Sequence, residues 1–102
     1  MLKSDDFEAL VLKNDKLVLV DFMASWCPPC KLMAPVIDQL KTEYGDKCFI
    51  EKLDIDAERE IAVNYSVNSI PTFIFFKEGK EVARKVGFTA KQVLKDVIET
   101  YA

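Results

Sequence analysis

The sequence predicts an α/β fold: a mixed sheet held between two layers of helices. Two observations predict it. Helical and extended patterns follow one another as α-β-α-β-α-β-β-α, the order of a layered α/β domain. The first extended run, Leu17-Val18-Leu19-Val20-Asp21-Phe22-Met23, is apolar almost throughout, as in a strand covered on both faces. No repeat, linker or low-complexity segment divides the chain, so residues 1–102 read as a single domain.

Each element has its own signal. Ser4 or Asp5 followed by Glu8, with Phe7, Leu10 and Val11 at helical spacing, predicts a short capped helix. Asn14-Asp15-Lys16 is turn chemistry before the first strand. Beyond Trp26-Cys27-Pro28-Pro29-Cys30, apolar residues at Leu32, Met33, Val36, Ile37, Leu40 and Tyr44 mark one face of a helix. Pro35 inside that helix predicts a kink, and Gly45 a C′ stop. Cys48–Asp54 reads as a second central strand, parallel to the first, and Ala57–Tyr65 as a short amphipathic helix. Thr72–Phe76 and Lys80–Val86 form an antiparallel pair turned at Glu78-Gly79. Thr89-Ala90-Lys91-Gln92 resembles a capping box, opening a last helix with Val93, Leu94, Val97, Ile98 and Tyr101 on one face.

Composition narrows the chemistry. The 102 residues carry 14 basic and 17 acidic side chains, a net charge of −3, and half are apolar. A mildly acidic chain without a basic run argues against nucleic acid as a partner. No stretch reaches the roughly 18 uncharged apolar residues of a membrane span. Acidic residues near the N-terminus leave no room for a signal peptide, so the sequence reads as a cytoplasmic protein. Histidine is absent, which removes the commonest general base and every His-containing metal site or triad. The three cysteines, Cys27, Cys30 and Cys48, cannot close a four-thiolate site within one chain.

Cys27 and Cys30 therefore carry the reading. At a helix N-terminus, residues three apart share a face within disulfide reach. The first thiol sits where unpaired N–H groups and the helix dipole favour an anion, which lowers its pKa and makes it the attacking group. Cys30, one turn deeper, would resolve the mixed disulfide. Asp21 is costly in an apolar strand unless it faces solvent or is a buried, partly protonated carboxyl that moves protons for the dithiol. Lys52 on the neighbouring strand is either its partner or a plain surface lysine. Trp26 is a core residue or an exposed anchor. Pro71 is a cis-proline or an ordinary strand-opening residue. Phe73, Phe75 and Phe76 are expected in the core, and Cys48 is expected to be structural.

These residues fall in a familiar order. Val20-Asp21-Phe22-x-Ala24-x-Trp26-Cys27-x-Pro29-Cys30-Lys31 resembles the active-site segment of the thioredoxin family. The likeness continues through Ala34-Pro35, Lys52-Leu53-Asp54-Ile55-Asp56, Ser69-Ile70-Pro71-Thr72 and Val86-Gly87 and covers essentially the whole chain. It implies a thioredoxin-like three-layer α/β/α sandwich with four to five strands, the N-terminal strand short or absent. It further implies a protein-disulfide reductase with Cys27 as nucleophile, Cys30 resolving, and Asp21 and Lys52 handling the proton. Trp26, Pro28, Ile70, Pro71, Gly87 and Phe88 would line a groove for disulfide-containing proteins, with Ile70 offering its backbone. No cofactor would be bound; an NADPH-dependent thioredoxin reductase would supply electrons to a monomer.

Two departures stand out. Pro28-Pro29 replaces the usual Gly-Pro between the cysteines, removes an N–H near Cys27 and disfavours αR there, predicting an N-cap conformation at Cys27 and a later helix start. Met23 stands where the family usually has a second tryptophan. Pro-Pro is more typical of longer, membrane-anchored relatives that reduce cytochrome-maturation thiols. Alternatives are a specialised oxidant or isomerase, a dimer bridged by zinc or an iron–sulfur cluster on two C-x-x-C pairs, and a redox-independent binding subunit.

Overall fold

The computed structural model describes all 102 residues. Its elements are α1 (Ser4–Phe7), β1 (Leu17–Met23), α2 (Pro28–Tyr44), β2 (Cys48–Asp54), α3 (Arg59–Asn64), β3 (Thr72–Lys77), β4 (Lys80–Val86) and α4 (Lys91–Tyr101). A π-helical turn, Glu8–Leu12, extends α1. The sheet has four strands in the order β2-β1-β3-β4. β1 and β2 run parallel, while β1–β3 and β3–β4 are antiparallel. The family's N-terminal strand is absent. One hydrogen bond from Leu2 N to Lys52 O, at 2.8 Å, remains along the free edge of β2, and the Leu2 side chain is buried there.

Alternation along β1 divides its side chains between two cores. Val18, Val20 and Phe22 pack with Phe7, Val11, Leu53, Ile61, Ile74 and Phe76 beneath α1 and α3. Leu17 and Leu19 pack with Met33, Ile37, Leu40, Phe73, Phe75, Leu94 and Ile98 beneath α2 and α4. The three aromatics of β3 are all buried, divided between the two cores. Cys48 is fully buried at the start of β2 with no disulfide partner, and burial pushes its thiol up to about 12.

Several local expectations need correction. Lys3, not Ser4 or Asp5, is the N-cap of α1, and the exposed Ser4 N–H is taken by Glu58 Oε1 at 3.0 Å. The box at Thr89 does not close: Ala90 is the N-cap of α4, Thr89 Oγ1 donates to Gly87 O, and Gln92 turns to Asp96. A tertiary partner takes the Ser4 N–H, whereas at Thr89 near neighbours in sequence take both side chains. Gly45 ends α2 with φ −59°, still right-handed, so it is not a left-handed stop. Glycine fits there because a Cβ would come within 2.6 Å of Lys41 O. Helix α2 runs through Pro35 to Tyr44. The β3–β4 turn has φ 53° at Glu78 and 79° at Gly79, the left-handed pair of a two-residue type I′ hairpin.

Candidate active site

The C-terminal end of β1 delivers the chain to the N-terminus of α2, where the two reactive cysteines sit. Cys27 is the N-cap, with φ −89° and ψ 110°, the extended conformation that a following proline enforces. Pro28 and Pro29 occupy the first two helical positions, where missing N–H groups cost no helix hydrogen bond. The helix therefore starts immediately after Cys27, not later. An N-cap side chain accepts from the second or third helical residue, so the N–H that Pro28 lacks is not one aimed at the sulfur. The donor that reaches Cys27 Sγ is Cys30 N, at 3.3 Å.

Cys27 and Cys30 are joined by a disulfide with Cα atoms 5.2 Å apart. Both are nearly buried, at 2% and 5% exposed, packed with Ala24, Met23, Ile55 and Ile70. Their surroundings differ on the two sides. Cys27 Sγ lies 3.9 Å from Ile70 O, on the loop whose Ile70–Pro71 peptide bond is cis. Cys30 instead lines a cavity of about 90 Å³ with Asp21, Lys52, Met23, Ser25 and Ala34.

Asp21 follows Leu17 and Leu19 on the α2 face of β1, and is 2% exposed. The solvent-facing alternative is thereby removed. Its Oδ1 has no hydrogen-bond partner. Burial pushes the carboxyl up to about 7, opposed by the positive charge of Lys52. Lys52 is the register partner of Asp21 across β1 and β2. The expectation that it pairs with Asp21 needs correction: its Nζ makes an ion pair with Asp38 Oδ1 at 3.8 Å, and none with Asp21. Lys52 acts on Asp21 through space.

Around the disulfide lies an apolar rim. Trp26 is 62% exposed, with its Nε1 donating to Asp56 Oδ2 at 2.7 Å. It lies on the surface, not in the core. Phe88 is equally exposed, Ile70 and Gly87 are half-buried, Pro71 is buried and Pro28 exposed. Gly87 N donates to Pro71 O at 2.7 Å, tying the end of β4 to the proline loop. Neither the N–H nor the C=O of Ile70 takes part in a backbone–backbone hydrogen bond. Asp56 and Asp38 carry no signal in spacing alone; only the fold sets them against Trp26 and Lys52.

A buried bridge at a helix N-terminus, with a carboxyl behind it and apolar surface in front, matches one family. The family model described as Thioredoxin matches residues 1–100. The chain belongs to the thioredoxin family. It is 40% identical over 101 residues to thioredoxin of Bacillus subtilis, covering 99% of this chain and 97% of that protein. It is 43% identical over 93 residues to Thioredoxin-T of Drosophila melanogaster, covering 91% of this chain. Against the M-type chloroplastic thioredoxin of Spinacia oleracea it is 43% identical over 100 residues, or 98% of this chain. It spans 59% and 55% of the lengths of the latter two. As a thioredoxin-family domain with this bridge, it is a dithiol–disulfide oxidoreductase. No helix is long and apolar enough to cross a membrane.

Proposed function

We propose that this protein is a general protein-disulfide reductase, recharged by an NADPH-dependent thioredoxin reductase, acting as a monomer in the cytoplasm. The observation that carries the reading is the split environment of the bridge: Cys27 faces the proline loop, and Cys30 faces the cavity that holds Asp21. In the reduced protein, the Cys27 thiolate attacks one sulfur of a substrate disulfide. The substrate's other sulfur leaves as a thiolate, and a mixed disulfide remains. Asp21 as carboxylate takes the proton of the Cys30 thiol. Cys30 then attacks Cys27 Sγ, closing the bridge and releasing the second substrate thiolate. The substrate gains two electrons and the protein loses two. Because Asp21 has a pKa near 7, it serves both as acceptor here and as donor when the bridge is reduced again.

An extended substrate segment would pair with the free backbone groups of Ile70 and lie against Trp26, Pro28, Pro71, Gly87 and Phe88. A metal-bridged dimer would leave the buried Asp21 carboxyl and the Ile70–Pro71 loop beside Cys27 without a role. Insulin reduction with a thioredoxin reductase and NADPH tests the reading. Cys27→Ser is expected to abolish turnover, and full activity in that variant contradicts the mechanism. The measured potential of the pair separates reductase from oxidant or isomerase, since a strongly oxidising value excludes a general reductase.

A further inference from the structure

Lys52 has two carboxylates within its reach and is paired with the outer one. Asp38 stands in the same i, i+4 row of α2 as Cys30 and Ala34, two turns beyond the bridge. Its side chain is 69% exposed, against 26% for Lys52, so the ammonium is drawn toward solvent. Asp21 is directly opposite Lys52 in the sheet, yet its Oδ1 remains without a partner. Ala34, between Cys30 and Asp38 in that row, lines the cavity together with Lys52.

We propose that Asp38 is a positioning residue for the dithiol chemistry: it holds the Lys52 ammonium at the outer side of the cavity, away from Asp21, and so keeps the buried carboxyl unpaired beside Cys30. This rests on the proton-transfer role given to Asp21 above. Lys52 is the charge that acts on Asp21, and the other charged groups near the cavity form no ion pair with it. On α2, Lys31 lines the same cavity, and Lys41 is engaged by Glu51 at 3.4 Å. On β2, Asp54 Oδ1 is taken by Asp56 N at 2.8 Å. On β3, the neighbour of Asp21 is Phe73, and the segment after β1 offers only the hydroxyl of Ser25.

Removing the Asp38 charge acts on Asp21 with one sign by two routes. It deletes a like charge, and it frees Lys52 to swing inward; both favour the Asp21 carboxylate. Asp38 is well exposed, so the expected change is a few tenths of a pH unit, in keeping with weakly coupled surface pairs. The test is an NMR titration of the Asp21 carboxyl carbon in the oxidised protein, for the native chain, Asp38→Asn, Lys52→Met and the double variant. Asp38→Asn is expected to lower the midpoint, and the shift is expected to fall by at least half when Lys52 is already methionine. The acid limb of insulin reduction is expected to move to lower pH in parallel. No shift, an upward shift, or an equal shift in both backgrounds overturns the proposal. The titration reads Asp21 directly, so it stands or falls separately from the reductase activity that Cys27→Ser tests.

Discussion

At the scale of single residues, Asp21 is the group whose placement costs most. Its carboxyl titrates near 7 when folded, against 3.8 as its ordinary value. Between those values the native state holds the proton that the unfolded chain has lost. Stability therefore falls as pH rises across that window, and recovers below it, where both states are protonated. The difference of about three units corresponds to roughly 4 kcal/mol lost by pH 8. Asp21→Asn is expected to remove this pH dependence, so the variant gains stability relative to the native chain between pH 5 and pH 8. Urea unfolding of the oxidised proteins at the two pH values measures it. Pro28 is a milder matter, since the N–H it lacks is not one the helix or the Cys27 sulfur would use. Asp21 could be singled out from sequence as an acid in an apolar strand, but only the α2 face of β1 decides that it is buried.

At the scale of elements, the patterns that survive are those backed by long-range packing. The strand Leu17–Met23 and the helix beyond Cys27 follow directly from apolar periodicity, because each buries its apolar side chains in the cores. The two capping boxes fail because a cap is a single weak hydrogen bond. Glu58, brought close by the fold, takes the Ser4 N–H, and Gly87, two residues before Thr89, takes its hydroxyl. The β3–β4 hairpin was legible because its turn demands a left-handed pair, and Glu78-Gly79 supplies it. Gly79→Ala is expected to cost about 1–2 kcal/mol, since alanine resists φ 79° and its Cβ would sit 3.0 Å from Leu12 O. The midpoint of chemical denaturation should fall accordingly, with little change in insulin reduction, because the turn lies at the end of β3 opposite Thr72 and the proline loop.

For the whole molecule, four strands between two helix layers suffice to hold a bridge, a buried acid and an apolar rim in register. β2 is an edge strand, with the buried Leu2 and its one hydrogen bond beside it. Leu2→Ala is expected to cost about 2 kcal/mol, the low end for a buried leucine because a single backbone hydrogen bond ties its segment to β2; thermal or urea unfolding reads the change. The global architecture was legible because the order of elements and both apolar faces are written locally. The pairing of Lys52 with Asp38, and of Trp26 with Asp56, was not, because each joins residues from different elements through exposed polar contacts that leave no periodic trace. Attack by Cys27 with resolution by Cys30 is checked by intact-mass analysis of the Cys30→Ser variant incubated with insulin. An adduct of one protein chain disulfide-linked to one insulin chain through Cys27 is expected to accumulate. Absence of that adduct, or its linkage through Cys48, would contradict it.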